Sequence, residues 1–130
     1  DLIISNAWGR SRQRWELFNS IGKRDLEKSI KLSKEIIGDT ETMISLIYSL
    51  TSFFQELLYA KMNNGTYSQS NSYIPLSKSI KNNIVLFSKG YTRQQIEKSI
   101  KTLKKIERKQ KTSTSNDESD LLHFLYDAIG

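Results

Sequence analysis

Apolar residues recur at helical spacing along most of the chain, and the longest such run extends from Asp39 to Met62. Within it Met43, Ile47, Leu50, Phe54, Leu57 and Lys61 follow a three-four spacing. Leu46, Phe53 and Ala60 widen the stripe, and Ile44 and Leu58 add flanking contacts. This pattern predicts a helix with a broad buried face, too wide for one partner helix to cover. Asp39 or Thr40 is its candidate N-cap, because either side chain can accept from the first free backbone amides. Glu41 follows in the first turn, where the helix dipole favours an anion. Gly65, after Asn63 and Asn64, is its stop.

Shorter periodic blocks flank this run. Residues 1–11 read as a lead-in with a short helix or turn ending at Trp8-Gly9, and Ser11 is a candidate cap for a helix over about Arg12 to Ile21. The apolar positions of that helix are Trp15, Leu17, Phe18 and Ile21, and Gly22 breaks it. A helix over about Arg24 to Ile37 presents Leu26, Ile30, Ile36 and Ile37, with Ser29 and Ser33 as small positions that admit a close neighbour; Gly38 stops it. The short connections favour antiparallel packing.

Residues Asn63 to Tyr73, rich in Asn, Ser, Gly and Tyr, read as a loop. A helix is placed from Pro75 to Lys89, because proline is tolerated in a first turn and pushes Ile74 away from helical geometry. Leu76, Ile80, Ile84 and Phe87 form its apolar set, with Val85 and Leu86 beside it, and Gly90 stops it. Thr92 is the expected N-cap of a helix over about Arg93 to Lys109, on which Ile96, Ile100, Leu103 and Ile106 make a narrow stripe suited to the outside of a bundle. Lys111 to Asp117 is polar. Asp117 or Ser119 can cap a last helix from Asp120 onward, where Leu121, Leu122, Phe124, Leu125 and Ala128 argue for docking. Strand-like alternation is nearly absent. The expectation is an all-α, five- to six-helix bundle with a long central helix, forming a single domain over residues 1–130.

Composition adjusts this picture in three places. There are no cysteines, which excludes disulfides and thiolate chemistry in this chain. No apolar run approaches the roughly 18 residues of a membrane span, and the first residues do not follow a signal-peptide pattern. The chain opens without methionine, and Leu2-Ile3-Ile4 resembles the middle of an element, so a C-terminal fragment of a longer chain is expected.

The third is charge. The net charge is +6, but from Lys78 to Lys111 eleven basic residues meet only Glu97 and Glu107, a local balance of +9, leaving −3 for the remainder. Such an excess attracts nucleic acid or an acidic protein surface. Lys78, Lys81, Arg93, Lys98, Lys101, Lys104, Lys105 and Arg108 could supply a phosphate-contacting face; the plainer account is a solvated lysine-rich surface.

Candidate chemistry is sparse. His123, the sole histidine, lies within the apolar last helix, where a structural or surface role outweighs a catalytic one. No phosphate-cradling GxxxxGK[ST] or GxGxxG motif occurs, and no carboxylate pair is spaced for acid-base work. No cofactor, metal or catalytic residue is expected. Tyr67, Tyr73 and Tyr91 lie near loops and could stack on bases, though lids on the core edge are the simpler role. Trp15 shares the face of Leu17 and Ile21 and reads as core, whereas Trp8 could mark a contact with a preceding segment or a partner.

Taken together, Trp15-Glu16-Leu17-Phe18-Asn19-Ser20-Ile21 and Lys23-Arg24-Asp25-Leu26-Glu27-Lys28-Ser29 resemble the C-terminal domain of the delta subunit of the bacterial DNA polymerase III clamp loader. They look like that family's aromatic-x-Leu-x-x-Ala helix and the aspartate-led helix after it, with serines where alanines are usual. The run Leu50 to Leu58 resembles the family's central helix, and Ile96 to Lys111 its last basic helix. Glu107 and Lys111 stand where the family favours an Asp followed four residues later by Lys. Gln55 or Glu56 occupies the region of a family arginine, and Ser113 lies near the place of a usual glycine.

The resemblance covers nearly the whole chain and implies a collar domain that assembles with the delta-prime and gamma or tau subunits in the bacterial cytoplasm. It implies no catalysis by this fragment, although the parent holoenzyme would be a DNA-directed DNA polymerase. Lys98, Lys101, Lys104, Lys105, Arg108 and Lys111 are the candidate partner or phosphate contacts. Any DNA contact of the collar would be indirect. The alternative expectation is a free-standing basic helical module that binds nucleic acid.

Overall fold

A computed structural model describes the backbone of residues 2–37, 40–63, 76–112 and 116–130, and the side chains of these except residues 2–11 and 40–42. Trp8, Tyr67, Tyr73, Pro75 and the expected caps Asp39 and Thr40 lie outside the described residues or side chains, as do Gly38, Gly65 and Ser113. Among the described residues the protein is all-helical, with seven helices and no strand. They are α1 (Leu2–Gly22), α2 (Leu26–Ile36), α3 (Thr40–Met62), α4 (Lys78–Asn82), α5 (Ile84–Ser88), α6 (Arg93–Gln110) and α7 (Asp117–Ile129). No helix among the described residues is long and apolar enough to cross a membrane.

Several boundaries differ from the expectation for local reasons. Gly9 does not separate a lead-in from a helix at Arg12, because α1 runs unbroken through it. One helical glycine costs only about 1 kcal/mol relative to alanine. The following turns are anchored by Leu17, Phe18 and Ile21, all fully buried.

The helix expected over Pro75 to Lys89 is two helices, broken at Asn83 (φ −107°, ψ 6°). Asn83 Nδ2 donates to the Ser79 carbonyl at 2.8 Å, taking the acceptor that its own backbone N–H would use in an α-helix. The N–H turns instead to the Ile80 carbonyl. This is the competition between side chain and backbone that places Asn at breaks. The expected apolar set survives the break, with Leu76, Ile80, Ile84 and Phe87 all buried and Val85 half-buried, whereas Leu86, expected beside them, is 62% exposed on α5.

The helix starts follow capping chemistry. Thr92 caps α6 as expected, and Gln95 completes a reciprocal capping box by accepting from the Thr92 N–H at 2.9 Å. At α2 the cap is Asp25, which accepts from the Lys28 N–H, so the helix begins after Arg24 rather than at it. At α4 it is Ser77, and at α7 it is Asn116, not Asp117 or Ser119. Asp117, Glu118 and Asp120 then occupy the first turn of α7, where the dipole favours them.

Packing contacts run from α1 to α2, α2 to α7, α7 to α6, α6 to α3, and from α3 back to α1. The short α5 lies against α3 and α1, and α4 against α1. Helix α3 supplies the largest share of the core: Leu46, Ile47, Leu50, Phe53, Phe54, Leu57 and Ala60 are at most 1% exposed. Aromatic rings meet edge to face around Phe54, which contacts Phe53, Tyr91 and Phe124 at centroid distances of 5.4, 5.8 and 5.7 Å. Trp15 is half-buried and packs edge-on to Phe18.

Two close approaches depend on small residues. A Cβ at Gly22 would stand 2.5 Å from Cγ of Phe87, so only glycine lets the end of α1 lie on that ring. Between α1 and α2, Ser20 and Ser29 are buried with their hydroxyls 2.8 Å apart. The Leu17 carbonyl lies within reach of the Ser20 hydroxyl and that of Asp25 within reach of Ser29, so one serine donates to the other while the second donates to its own backbone carbonyl. Each of the two buried hydroxyls therefore has a hydrogen-bond partner inside the interface.

Candidate interaction surfaces

Helix α6 buries Ile96, Ser99, Leu103 and Ile106 against its neighbours and turns the rest outward. The sequence-derived contacts Lys98, Lys101, Lys104, Lys105, Arg108 and Lys111 are all exposed, so the structure brings them onto one helix and its C-terminal cap. Their electrostatic states differ. Lys111 pairs with Glu107 at 3.6 Å. Elsewhere on the helix, Arg93 pairs with Glu97 at 2.9 Å and Lys109 with Asp120 at 3.4 Å. Among the described residues, Lys98, Lys101, Lys104, Lys105 and Arg108 form no ion pair. The helix's own two carboxylates are engaged at its two ends, and the middle is left uncompensated. Lys78 is exposed and Lys81 half-buried on α4, apart from this helix.

Changing Lys101, Lys104 and Lys105 together to Glu is expected to leave the helical circular-dichroism signal and the unfolding transition essentially unchanged, since exposed unpaired lysines contribute little to folding. Clear unfolding would show that these side chains hold the fold together.

A second surface was not anticipated. The outward face of α3 carries Ile44, Tyr48, Tyr59 and Met62, between 38% and 57% exposed. Ile44, expected as a flanking core contact, lies on this face, whereas Leu58 is half-buried as expected. Spacings of four, eleven and three residues place these side chains along one side of the helix, opposite Leu46, Leu50, Phe53 and Leu57. Thr51 and Gln55 interrupt this side, so it carries two apolar pairs rather than a continuous stripe, while among the described residues α3 packs against α1, α5 and α6. The signal was present in the sequence: Tyr48, Tyr59 and Met62 fall outside the three-four stripe yet repeat at helical spacing.

Arg24 is the other unanticipated residue. It occupies the α1–α2 turn with φ 59°, the one non-glycine residue in the left-handed region among those described. Its guanidinium donates to the Gly90 carbonyl at 2.7 Å, to Gln95 Oε1 at 3.1 Å and to the Ile129 carbonyl at 2.8 Å. It also lies over the Tyr91 ring, 4.8 Å from the centroid. One side chain thus joins the α1–α2 turn, the α6 capping box and the C-terminal end of α7. Tyr91 is 2% exposed and donates its hydroxyl to the Ile21 carbonyl, so it belongs to the core and cannot stack on an external base. Burial pushes the Tyr91 phenol well above its usual range, and the neighbouring Arg24 charge offsets part of that shift.

His123 is exposed on α7, in a shallow groove shared with Lys105, Lys109, Asp120 and Asp127, which fits its expected surface role. Among the described residues no group of three or more His, Asp or Glu side chains could hold a metal ion. The arrangement as a whole offers two surfaces on different helices, one cationic and one apolar. Comparisons with protein-family models, with curated proteins and with solved structures find no match to this chain.

Proposed function

We propose that this chain is an assembly domain: the collar domain of a clamp-loader delta subunit, acting in the bacterial cytoplasm during DNA replication. In this reading it supports loading of the sliding clamp by docking to the delta-prime and gamma or tau subunits, and the fragment contributes no catalytic group. The observation that carries the assembly reading is the outward face of α3. Ile44, Tyr48, Tyr59 and Met62 gather four exposed apolar or aromatic side chains on one side of one helix, whereas the other large ones, Leu86 and Tyr126, stand singly on α5 and α7. Tyrosine and methionine are enriched at protein interfaces, where an aromatic anchor supplies much of the binding energy. The order of the helices supports the clamp-loader assignment within that class. The described residues form seven helices rather than the expected five or six, the extra one arising where the helix expected over Pro75 to Lys89 breaks at Asn83.

The test is co-purification of this chain with the delta-prime and gamma or tau collar domains of the same organism, followed by size exclusion. A mixed assembly is expected, and Tyr48→Asp is expected to abolish it while leaving the unfolding transition of the isolated chain in place. Failure of the unmodified chain to associate would remove the clamp-loader assignment. If the chain then bound DNA in a salt-sensitive way, the free-standing basic module would replace it.

A further inference from the structure

The geometry points to a second binding property, one that the collar resemblance, with its indirect DNA contact, does not imply: the outward face of α6 binds the phosphate backbone of duplex nucleic acid. Lys98, Lys101, Lys105 and Arg108 recur at intervals of three, four and three residues, which aligns them along one side of the helix. Lys104 lies beside this row. At 1.5 Å per residue the row is about 15 Å long. It therefore spans about four base steps of a strand that carries one phosphate per 3.4 Å of rise.

Two observations favour a polyanion over an ordinary protein partner. First, none of these five cations pairs with a carboxylate among the described residues. Arg93, Lys109 and Lys111, at the ends and edge of the same helix, are each engaged. Five charges are thus available to displace counterions from a ligand without first breaking a bridge. Second, the face has no apolar anchor. Ile96, Leu103 and Ile106 are buried, Ile100 is partly buried against the core, and the other side chains on this side are the exposed Gln94 and the half-buried Glu97, the latter paired with Arg93. Protein interfaces are depleted in lysine and rely on buried aromatic or apolar residues. A lysine row without such residues suits a ligand whose own charge supplies the affinity. The apolar surface lies on α3, so the two binding properties use different helices.

The experiment is fluorescence anisotropy of the chain with a labelled duplex of about 20 base pairs of arbitrary sequence, titrated between about 50 and 200 mM salt. Five neutralised phosphates predict a slope of log K against log salt of about −4.5, at about 0.9 for each contact. The double variant Lys101→Gln with Lys105→Gln is expected to reduce that slope to about −2.7 and to weaken binding at every salt concentration. Circular dichroism establishes that the variant is folded. Absence of duplex binding at the lowest salt overturns the proposal. So does a slope unchanged in the folded double variant, which would place the binding elsewhere on the chain. Tighter binding of a poly-glutamate peptide than of the duplex at equal ionic strength would assign the face to an acidic protein and overturn it as well. None of these outcomes bears on assembly with clamp-loader subunits, which co-purification reads separately.

Discussion

Phe54→Ala is expected to destabilise the chain by about 3–5 kcal/mol, the range for emptying a phenylalanine site in a packed core. Phe54 is 0% exposed, and its ring is edge to face with Phe53 on its own helix, Tyr91 before α6, and Phe124 on α7. Truncation removes the apolar area and leaves a void whose walls come from three parts of the chain, so no single side chain can relax to fill it. Each aromatic pair contributes about 0.5–1.5 kcal/mol beyond area burial. These contributions are not additive, because the three pairs share one ring. Urea unfolding monitored by circular dichroism measures the loss. Tyr48→Ala, on the outward face of the same helix, is the control and is expected to cost less than about 1 kcal/mol. A Phe54→Ala loss below about 1 kcal/mol would mean that the site collapses freely and that α3 is not the packing centre.

The inward face of α3 was readable because burial imposes a period on apolar residues, and a three-four period over Met43 to Ala60 has few other causes. The Thr92 cap was readable for a related reason: the capping chemistry is local, with Gln95 three residues away. Misses arose where two local rules competed. Proline marks a first turn, so Pro75 drew the expected start of a helix, but Ser77 has the side chain that caps it. Asn83 falls inside the helix expected over Pro75 to Lys89, and only its bond to the Ser79 carbonyl reveals the break. At the candidate surfaces, the basic row on α6 was visible as composition, but the ion pairs that sort Lys111 from Lys98 depend on side-chain geometry. The outward face of α3 was passed over because the inward stripe already accounted for the helix. Arg24 carried no signal at all, since its partners Gly90, Gln95 and Ile129 lie 66 to 105 residues away.

Arg24 also yields an inverted substitution order. Arg24→Ala is expected to cost about 2–4 kcal/mol, because it removes charge-assisted bonds to two backbone carbonyls and a cation–π contact. The loss should lie toward the lower end of that range, since the bond to Gly90 is exposed to water. Alanine is normally the milder replacement, as glycine loses more backbone entropy on folding. At φ 59° the order should reverse. A Cβ in the left-handed region costs roughly 1–2 kcal/mol. Arg24→Gly escapes that strain while paying about 0.4–1 kcal/mol through the unfolded chain. Arg24→Gly is therefore expected to be more stable than Arg24→Ala by about 0.5–1 kcal/mol, although both lose the same guanidinium contacts.

Paired thermal and urea unfolding of the two variants checks the order. Glycine equal to or worse than alanine would mean that the α1–α2 turn shifts out of the left-handed region once the guanidinium is gone. The contacts to Gly90, Gln95 and Ile129 would then be what holds the strained turn in place. The expected order would mean the opposite dependence. The Asp25-capped start of α2 and the closing bond from the Arg24 N–H to the Ile21 carbonyl would fix the turn by themselves. They would then deliver the guanidinium to the far ends of α6 and α7.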